Sequence, residues 1–336
     1  MSIKFSLIVP CFNASKLINN LTKKIVNCKT KPDELIFVND CSTDNTLDLL
    51  NKINLKKIKK VIINTPRNLG PGGARNLGVK NSINDYILFL DSDIEISENL
   101  FEIFVEKIQK YDVVVGIYHF KSLNNGFFQN IKSYYFYFLL FKNSEYLYSV
   151  FSASCAGIKK SIFYKVGGFD DWFGLNKIDY ENEDLGKRLK KFTNIWLVPS
   201  MQIYHYFPNN YKLFKTLILR TSHWMEDFLV DKKKTFNEEG DTKQTAIKSL
   251  FSALTVFLLI VLTVFHNKIL LFFLLISLLV DIYFNYDFLN FIKKNNKSRI
   301  SFFLGLILFD TLIVIGAILG CLKVFFGLSK FQKKNV

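Results

Sequence analysis

Beyond residue 245 the chain carries three long apolar runs, roughly 246–265, 269–289 and 300–322, and nothing else constrains its fold as strongly. A bilayer core takes about 20 apolar residues per helix. Backbone in lipid must also satisfy its own hydrogen bonds, so each run reads as a membrane-crossing helix. The second is long enough only when carried to Leu289; otherwise 246–284 would be a re-entrant hairpin in a two-span chain. The expected division is therefore a domain over 1–230, with an amphipathic helix at its end (about 209–230). A basic and polar linker follows over 231–245, then three spans within 246–328 and a basic tail over 329–336.

Charge bears on the partners. The formal net charge is +15, with fourteen Lys and Arg against seven Asp and Glu from Asp231 onward. Both parts are thus moderately basic, and the juxtamembrane Lys232–Lys234 favours an anionic membrane surface. No helix-turn-helix, zinc-finger or RNP-like pattern accompanies the charge, so nucleic acid is not an expected partner. Lys232–Lys234 and Lys293, Lys294, Lys297 and Arg299 should face the cytoplasm. Three spans then leave Lys330, Lys333 and Lys334 outside, against the rule. Asp281 and Asp310 fall in or near spans, where acids are functional candidates. The five cysteines form no CxxC and read as reduced thiols. No signal peptide is expected, because Met1-Ser2-Ile3-Lys4 runs straight into an apolar stretch.

The first ~115 residues alternate short apolar runs with helical spacing. Strands are expected over Ile3–Pro10, Glu34–Asn39, Val61–Asn64, Tyr86–Leu90 and Val113–Gly116. Helices are expected over Ser15–Val26, Ser42–Ile53 and from about Gly73 to Lys80. This rhythm predicts an α/β fold with a parallel sheet and helices on both faces. Phe127–Phe141 is an aromatic stripe that suits either a core or a bilayer interface.

Four consecutive strand ends carry polar groups: Pro10-Cys11-Phe12-Asn13, Asn39-Asp40-Cys41-Ser42, Asn68-Leu69-Gly70-Pro71-Gly72-Gly73-Ala74-Arg75-Asn76, and Asp91-Ser92-Asp93. Ligands collect at the carboxyl ends of strands in such sheets. Two carboxylates one residue apart make a hard oxygen site that suits Mg²⁺ or Mn²⁺. The glycine turn does not follow the first strand, and Arg75 stands where a dinucleotide fingerprint needs its third glycine.

With these motifs the chain resembles the family 2 glycosyltransferases of the GT-A fold. The matching residues are IVPCFN (8–13), ELIFVNDCSTDNT (34–46), RNLGPGGARNLG (67–78), LFLDSD (88–93), AGIKK (156–160) and GGFD (167–170). The resemblance covers about residues 3–208. It implies a doubly wound mixed sheet and a membrane-bound enzyme moving a sugar from a UDP- or GDP-type donor to a lipid-linked or saccharide acceptor. Inverting chemistry and a cytoplasmic catalytic domain on a multi-pass inner-membrane protein are the expectations. The alternatives are a polyprenyl-phosphate sugar synthase or a catalytically silent scaffold. Pro10, Asn13, Asp40, Asn68, Gly70, Arg75, Asp91 and Ser92 would bind the nucleotide sugar. Asp93, Asp91 and His205 would bind the metal. Registering Tyr180-Glu181-Asn182-Glu183-Asp184-Leu185-Gly186-Lys187-Arg188 on Leu185 and Arg188 puts Asn182 where the family has its catalytic Asp. Asparagine cannot be a general base, which leaves Glu181, Glu183 and Asp184 as candidates. Arg220–Trp224 loosely resembles the interface helices of membrane glycosyltransferases, but the processive QxxRW form is absent.

Overall fold

The structure, a computed structural model, describes residues 3–231 and 242–334. It opens with β1 (Phe5–Cys11), α1 (Ile18–Asn27), β2 (Glu34–Asn39), α2 (Thr46–Lys52), β3 (Lys59–Asn64), α3 (Gly70–Lys80) and β4 (Tyr86–Leu90). There follow β5 (Ile94–Ile96), α4 (Leu100–Lys110), β6 (Val113–Tyr118), α5 (Phe127–Leu140), β7 (Tyr146–Tyr148) and β8 (Cys155–Lys159). The sheet region closes with α6 (Lys160–Lys165), α7 (Asp171–Leu175), α8 (Glu181–Leu189) and β9 (Ile195–His205). Then come α9 (Asn210–Val230), α10 (Thr242–Phe265), α11 (Lys268–Lys294), α12 (Arg299–Phe325) and α13 (Lys330–Lys334).

The chain divides into two compact units. A sheet unit takes in residues up to Asn124 together with Leu139–Tyr206, and a helix unit takes in Asn125–Phe138 and the chain from Phe207. This differs from the expected boundary at 230: the sheet unit ends at Tyr206, and most of the aromatic stripe groups with the helices. Of the linker expected over 231–245, residues 232–241, with Lys232–Lys234, lie outside the described residues, and 242–245 already belong to α10.

One mixed sheet runs β3-β2-β1-β4-β8-β6-β9-β5, with β7 on β9. Its first four strands are parallel, as the β-α rhythm predicts. Beyond them the sheet is mixed, as the resemblance implies: β8 pairs antiparallel with both β4 and β6. Side chains alternate across each strand. Leu7, Val9, Leu35, Phe37, Leu88 and Leu90 enter one core, and Ile8, Ile36, Val38, Ile87 and Phe89 enter the other. Helices cover both faces, which is why β1 and β2 read as continuous apolar runs. Each fully buried Leu, Ile or Phe contributes about 1.5–3 kcal/mol of transfer free energy.

Helix α3 starts at Gly70, earlier than the expected Gly73, with Pro71 in its first turn. Proline suits that position because its missing N–H would have no partner there. Gly70 has φ +73°, and a Cβ there would meet Gly174 Cα at 2.8 Å. Backbone conformation and the close approach of α7 both demand glycine.

The helix unit contains three helices long and apolar enough to cross a membrane: Gln244–Phe265, Lys268–Lys294 and Arg299–Phe325. The second extends five residues past the expected Leu289. Tyr134, Tyr135, Tyr137 and Phe138 lay their rings on Phe288, Phe291 and Phe302. Helix α9, with Arg220–Trp224, is packed along α12: Cβ atoms at Gly316 and Gly320 would meet Ile218 O at 2.5 Å and Ser222 O at 2.6 Å. This small-xxx-small spacing lets two helix backbones approach closely. At the same contact Lys323 Nζ reaches the buried Glu226 Oε1 at 2.9 Å.

Asp281 and Asp310 are buried in this unit and fully engaged. Ser252 and Thr255 donate to Asp281 at 2.8 and 2.7 Å. Asp310 faces Lys248 Nζ at 3.3 Å and receives Ser249 at 3.3 Å. Lys248 also donates to Tyr135 Oη at 2.8 Å.

Candidate functional site

The carboxyl ends of β1, β2, β3 and β4 lie side by side, so the four polar strand ends share one edge. At β2, Asp40 is buried. Its Oδ1 accepts from Thr65 Oγ1 and from Leu69 N–H, each at 2.8 Å. Asn68 Nδ2 donates to the Asp40 carbonyl at 3.2 Å. Asp40 and Asn68 thus hold the loop between β3 and α3 against the end of β2. Asn13, at φ +52°, accepts from Thr43 N–H at 2.8 Å and ties the β1 loop to the β2 loop. Asn39 donates to Asn64 Oδ1 at 2.9 Å and accepts from Ser42 N–H at 3.3 Å. Pro10 sits half-buried in β1 opposite Val38, and the next carbonyl, of Cys11, accepts from Asp40 N–H at 2.8 Å.

Ligand atoms of Asp91, Asp93 and His205 all lie within 4.8 Å of one another. Topology explains the cluster. Asp91 follows the last residue of β4, and β5 begins one residue after Asp93. Antiparallel pairing of β5 with β9 sets Ile94 opposite His205. The Tyr206 N–H then donates to the Asp93 carbonyl at 2.9 Å. His205 Nε2 stands 3.5 Å from Asp93 Oδ1, and the Asp93 side chain remains 44% exposed. Two carboxylates and an imidazole converging at a partly open edge fit a divalent cation such as Mn²⁺ or Mg²⁺. Ser92, between the two acids, is half-buried.

Behind this cluster lies Arg75, 3% exposed. Its Nη2 donates to Asp91 Oδ1 at 2.7 Å, and its Nη1 is 3.5 Å from Glu181 Oε1. The guanidinium also sits 5.5 Å from the centre of the Phe169 ring. Asn76 fixes that ring's backbone, donating to Phe169 O at 2.8 Å and accepting from Phe169 N–H at 2.9 Å. The GGFD segment is therefore clamped onto α3, and α8 follows from it.

One guanidinium faces two carboxylates, and the nearer one wins. Burial pushes the Asp91 carboxyl up, but Arg75 and hydrogen bonds from Ser154 and Arg75 hold it below its ordinary range. Glu181 goes the other way. Burial, then the charge of Asp179, raise it to about 7 against the pull of Arg75. A carboxyl with that value is suited to move a proton near neutral pH.

Three acids are candidates for the base, and the structure separates their surroundings. Asp184 accepts from Arg188 Nε and Nη2 at 2.9 and 2.6 Å. Arg188 also donates to Gly168 O at 2.7 Å and to Val166 O, so Asp184 serves a structural clamp. Glu183 lies towards Tyr148, whose phenol is pushed up to about 12 by burial, Tyr146 and the Glu183 charge. Glu181 alone connects, through Arg75, to Asp91. Asn182 accepts from Ala153 N–H at 3.4 Å and is turned to backbone. Sequence reasoning missed Tyr118 and Ser154, which adjoin Asp91 and His205. Neither belongs to a recognisable motif.

Residues 6–167 match the profile of the family described as Glycosyl transferase family 2. The chain is 37% identical over 97 residues to an uncharacterized glycosyltransferase of Haemophilus influenzae, covering 29% of this chain and 39% of that one. It is 40% identical over 95 residues to a poly(ribitol-phosphate) beta-glucosyltransferase of Bacillus spizizenii, covering 27% and 15%. The chain thus spans well under half the length of these curated relatives. Among solved structures, a mannosyltransferase from Pyrobaculum calidifontis in complex with GDP-Man and Mn²⁺ matches with a TM-score of 0.58. That likeness covers 98% of this chain and 89% of the other at 12% identity, which speaks to fold.

Proposed function

Residues 6–167 belong to glycosyl transferase family 2, on a GT-A fold, and from that premise we propose that the chain transfers a sugar from a nucleotide-diphosphate donor to a saccharide or lipid-linked acceptor at a membrane. The convergence of Asp91, Asp93 and His205 at the strand edge that also carries Asp40 and Asn68 is the observation that supports it most. Pro10, Asn13, Asp40, Asn68 and Gly70 line the nucleotide end in this reading. Asp91, Asp93 and His205 would hold Mn²⁺ or Mg²⁺. A divalent cation there supplies charge stabilisation for the departing diphosphate.

The chain's own residues do the rest. Arg75 keeps Asp91 ionised by direct contact. Glu181, tied to that same guanidinium, is the acid we assign to the acceptor hydroxyl: it takes the proton as oxygen attacks the anomeric carbon, which implies inversion. Three apolar helices support a multi-pass anchor. Basic residues between α11 and α12 favour a cytoplasmic loop there, with the Asn267 turn outside and the sheet unit inside.

The test is transfer or hydrolysis of UDP- and GDP-sugars by full-length protein in detergent, with Mn²⁺ or Mg²⁺ added. Asp93→Ala should lower turnover by about 10²–10³-fold, the scale of losing one well-placed electrostatic stabiliser. Full activity in that variant would remove the metal assignment.

A further inference from the structure

Two residues outside every motif join the two ends of the cation site. Tyr118 ends β6, and its hydroxyl donates to Ser154 Oγ at 2.9 Å. Ser154 precedes β8; its backbone carbonyl accepts from Asp91 N–H at 3.4 Å, and its side chain faces the Asp91 carboxylate. The ring of the same Tyr118 stands edge-on to His205, centroids 5.1 Å apart and planes at 78°.

Donor counting sets the direction of this relay. A serine hydroxyl has one proton. Because Tyr118 donates to Ser154 Oγ, the serine proton is free to point at Asp91, which as a carboxylate only accepts. Chained hydrogen bonds of this kind strengthen one another away from bulk water. The Tyr118 ring meanwhile limits how far the His205 imidazole can tilt. One side chain thus bears on Asp91 through Ser154 and on His205 by direct contact.

We propose that Tyr118 and Ser154 are positioning residues for the divalent cation: Tyr118 orients Asp91 through the Ser154 hydroxyl and His205 through its ring. The inference rests on the cation site proposed above. Groups that orient metal ligands typically change affinity about 10–100-fold when removed.

The experiment is Mn²⁺ titration of full-length protein in detergent, followed by the electron paramagnetic resonance signal of free Mn²⁺, with thermal melting measured on the same samples. Wild type should bind one Mn²⁺ that Asp93→Ala loses. Tyr118→Phe, which keeps the ring and removes the hydroxyl, should weaken Mn²⁺ about tenfold or more at an unchanged melting temperature. Ser154→Ala should match it, and the double variant should be no weaker than either single one, because both cut the same relay. Tyr118→Leu should be weaker still, since it also frees His205. Tyr118→Phe binding within twofold of wild type, or single effects that multiply in the double variant, would overturn the relay while leaving the cation site standing. Wild type binding no better than Asp93→Ala would overturn the site and the relay together.

Discussion

Two buried charge clusters in this chain share a composition and differ in their bonding. Each holds one cation and two carboxylates: Arg75 stands between Asp91 and Glu181 in the sheet unit, whereas in the helix unit Lys248 pairs with Asp310 and Asp281 joins through Ser252, which lies against both acids. In the helix unit, hydroxyls of Ser249, Ser252 and Thr255 answer both acids, and Tyr135 takes a further lysine proton. In the sheet unit, Arg75 Nε and Nη1 find no hydrogen-bond acceptor among the described residues, and Glu181 stays 3.5 Å away. Beside it, Asp93 remains 44% exposed. A saturated network rigidifies the helices it joins, and its acids have little left to offer a ligand. An incompletely answered cluster at an open strand edge retains capacity for one. The acids of the apolar helices, functional candidates on sequence grounds, thus read as structural, and the sheet-edge acids as chemical.

Substitutions can break that contrast. The largest effect should come from the helix cluster: Lys248→Ala leaves Asp310 buried without its cation and should cost about 3–5 kcal/mol. Thermal unfolding in detergent, followed by tryptophan fluorescence, would show it; an unchanged midpoint would mean the pair holds nothing together. Next is Glu181→Gln, which should lower sugar transfer about 10²–10⁴-fold, the range for a positioned general base, with donor binding intact. An active Glu181→Gln enzyme would move the role to Glu183.

The pH dependence follows from the same residue. Glu181 must be ionised to accept a proton, so activity should rise as pH passes through about 7, and the variant should lack that rise. Stability runs oppositely. A carboxyl raised from its ordinary 4.5 to about 7 binds its proton more tightly when folded. Its stabilising contribution is complete below about 4.5 and is lost as pH rises through about 7. Chemical denaturation at pH 5 and pH 8, wild type against Glu181→Gln, isolates this contribution.

Gly316→Val should cost about 1–3 kcal/mol by pushing α9 off α12, in the range of other overpacked contacts, and should spare Mn²⁺ binding. The smallest effect should be Asp281→Asn, at or below about 1 kcal/mol, since Ser252 and Thr255 keep an acceptor there. A collapse of the helix unit in Asp281→Asn would show that the charge itself carries the network.

Local pattern made much of this legible. The strand ends at Asp40, Asn68 and Asp91 were readable because β1 to β4 follow in order with short apolar cores. The three long apolar helices were readable because length and continuous apolarity are visible in sequence. Asn182 at the expected base position was visible from its register on Leu185 and Arg188. What stayed hidden depends on pairings far apart in the chain. The three-residue β5 has no periodicity to read, so only its pairing with β9 explains how His205 meets Asp93. Glu181 reaches Arg75 because Asn76 clamps the backbone at Phe169, about ninety residues on. Tyr118 and Ser154 meet through adjoining ends of β6 and β8. The GAILG run over 316–320 did carry a readable small-xxx-small signal for the contact with α9.

The most direct measurement is anomalous scattering at the manganese edge from crystals of the full chain grown with a nucleotide diphosphate and Mn²⁺. A single strong peak ligated by Asp91, Asp93 and His205 is expected, with the base at the Pro10, Asp40 and Asn68 edge. A peak at Asp281 and Asp310, or a nucleotide bound with no manganese between Asp91 and Asp93, would contradict it.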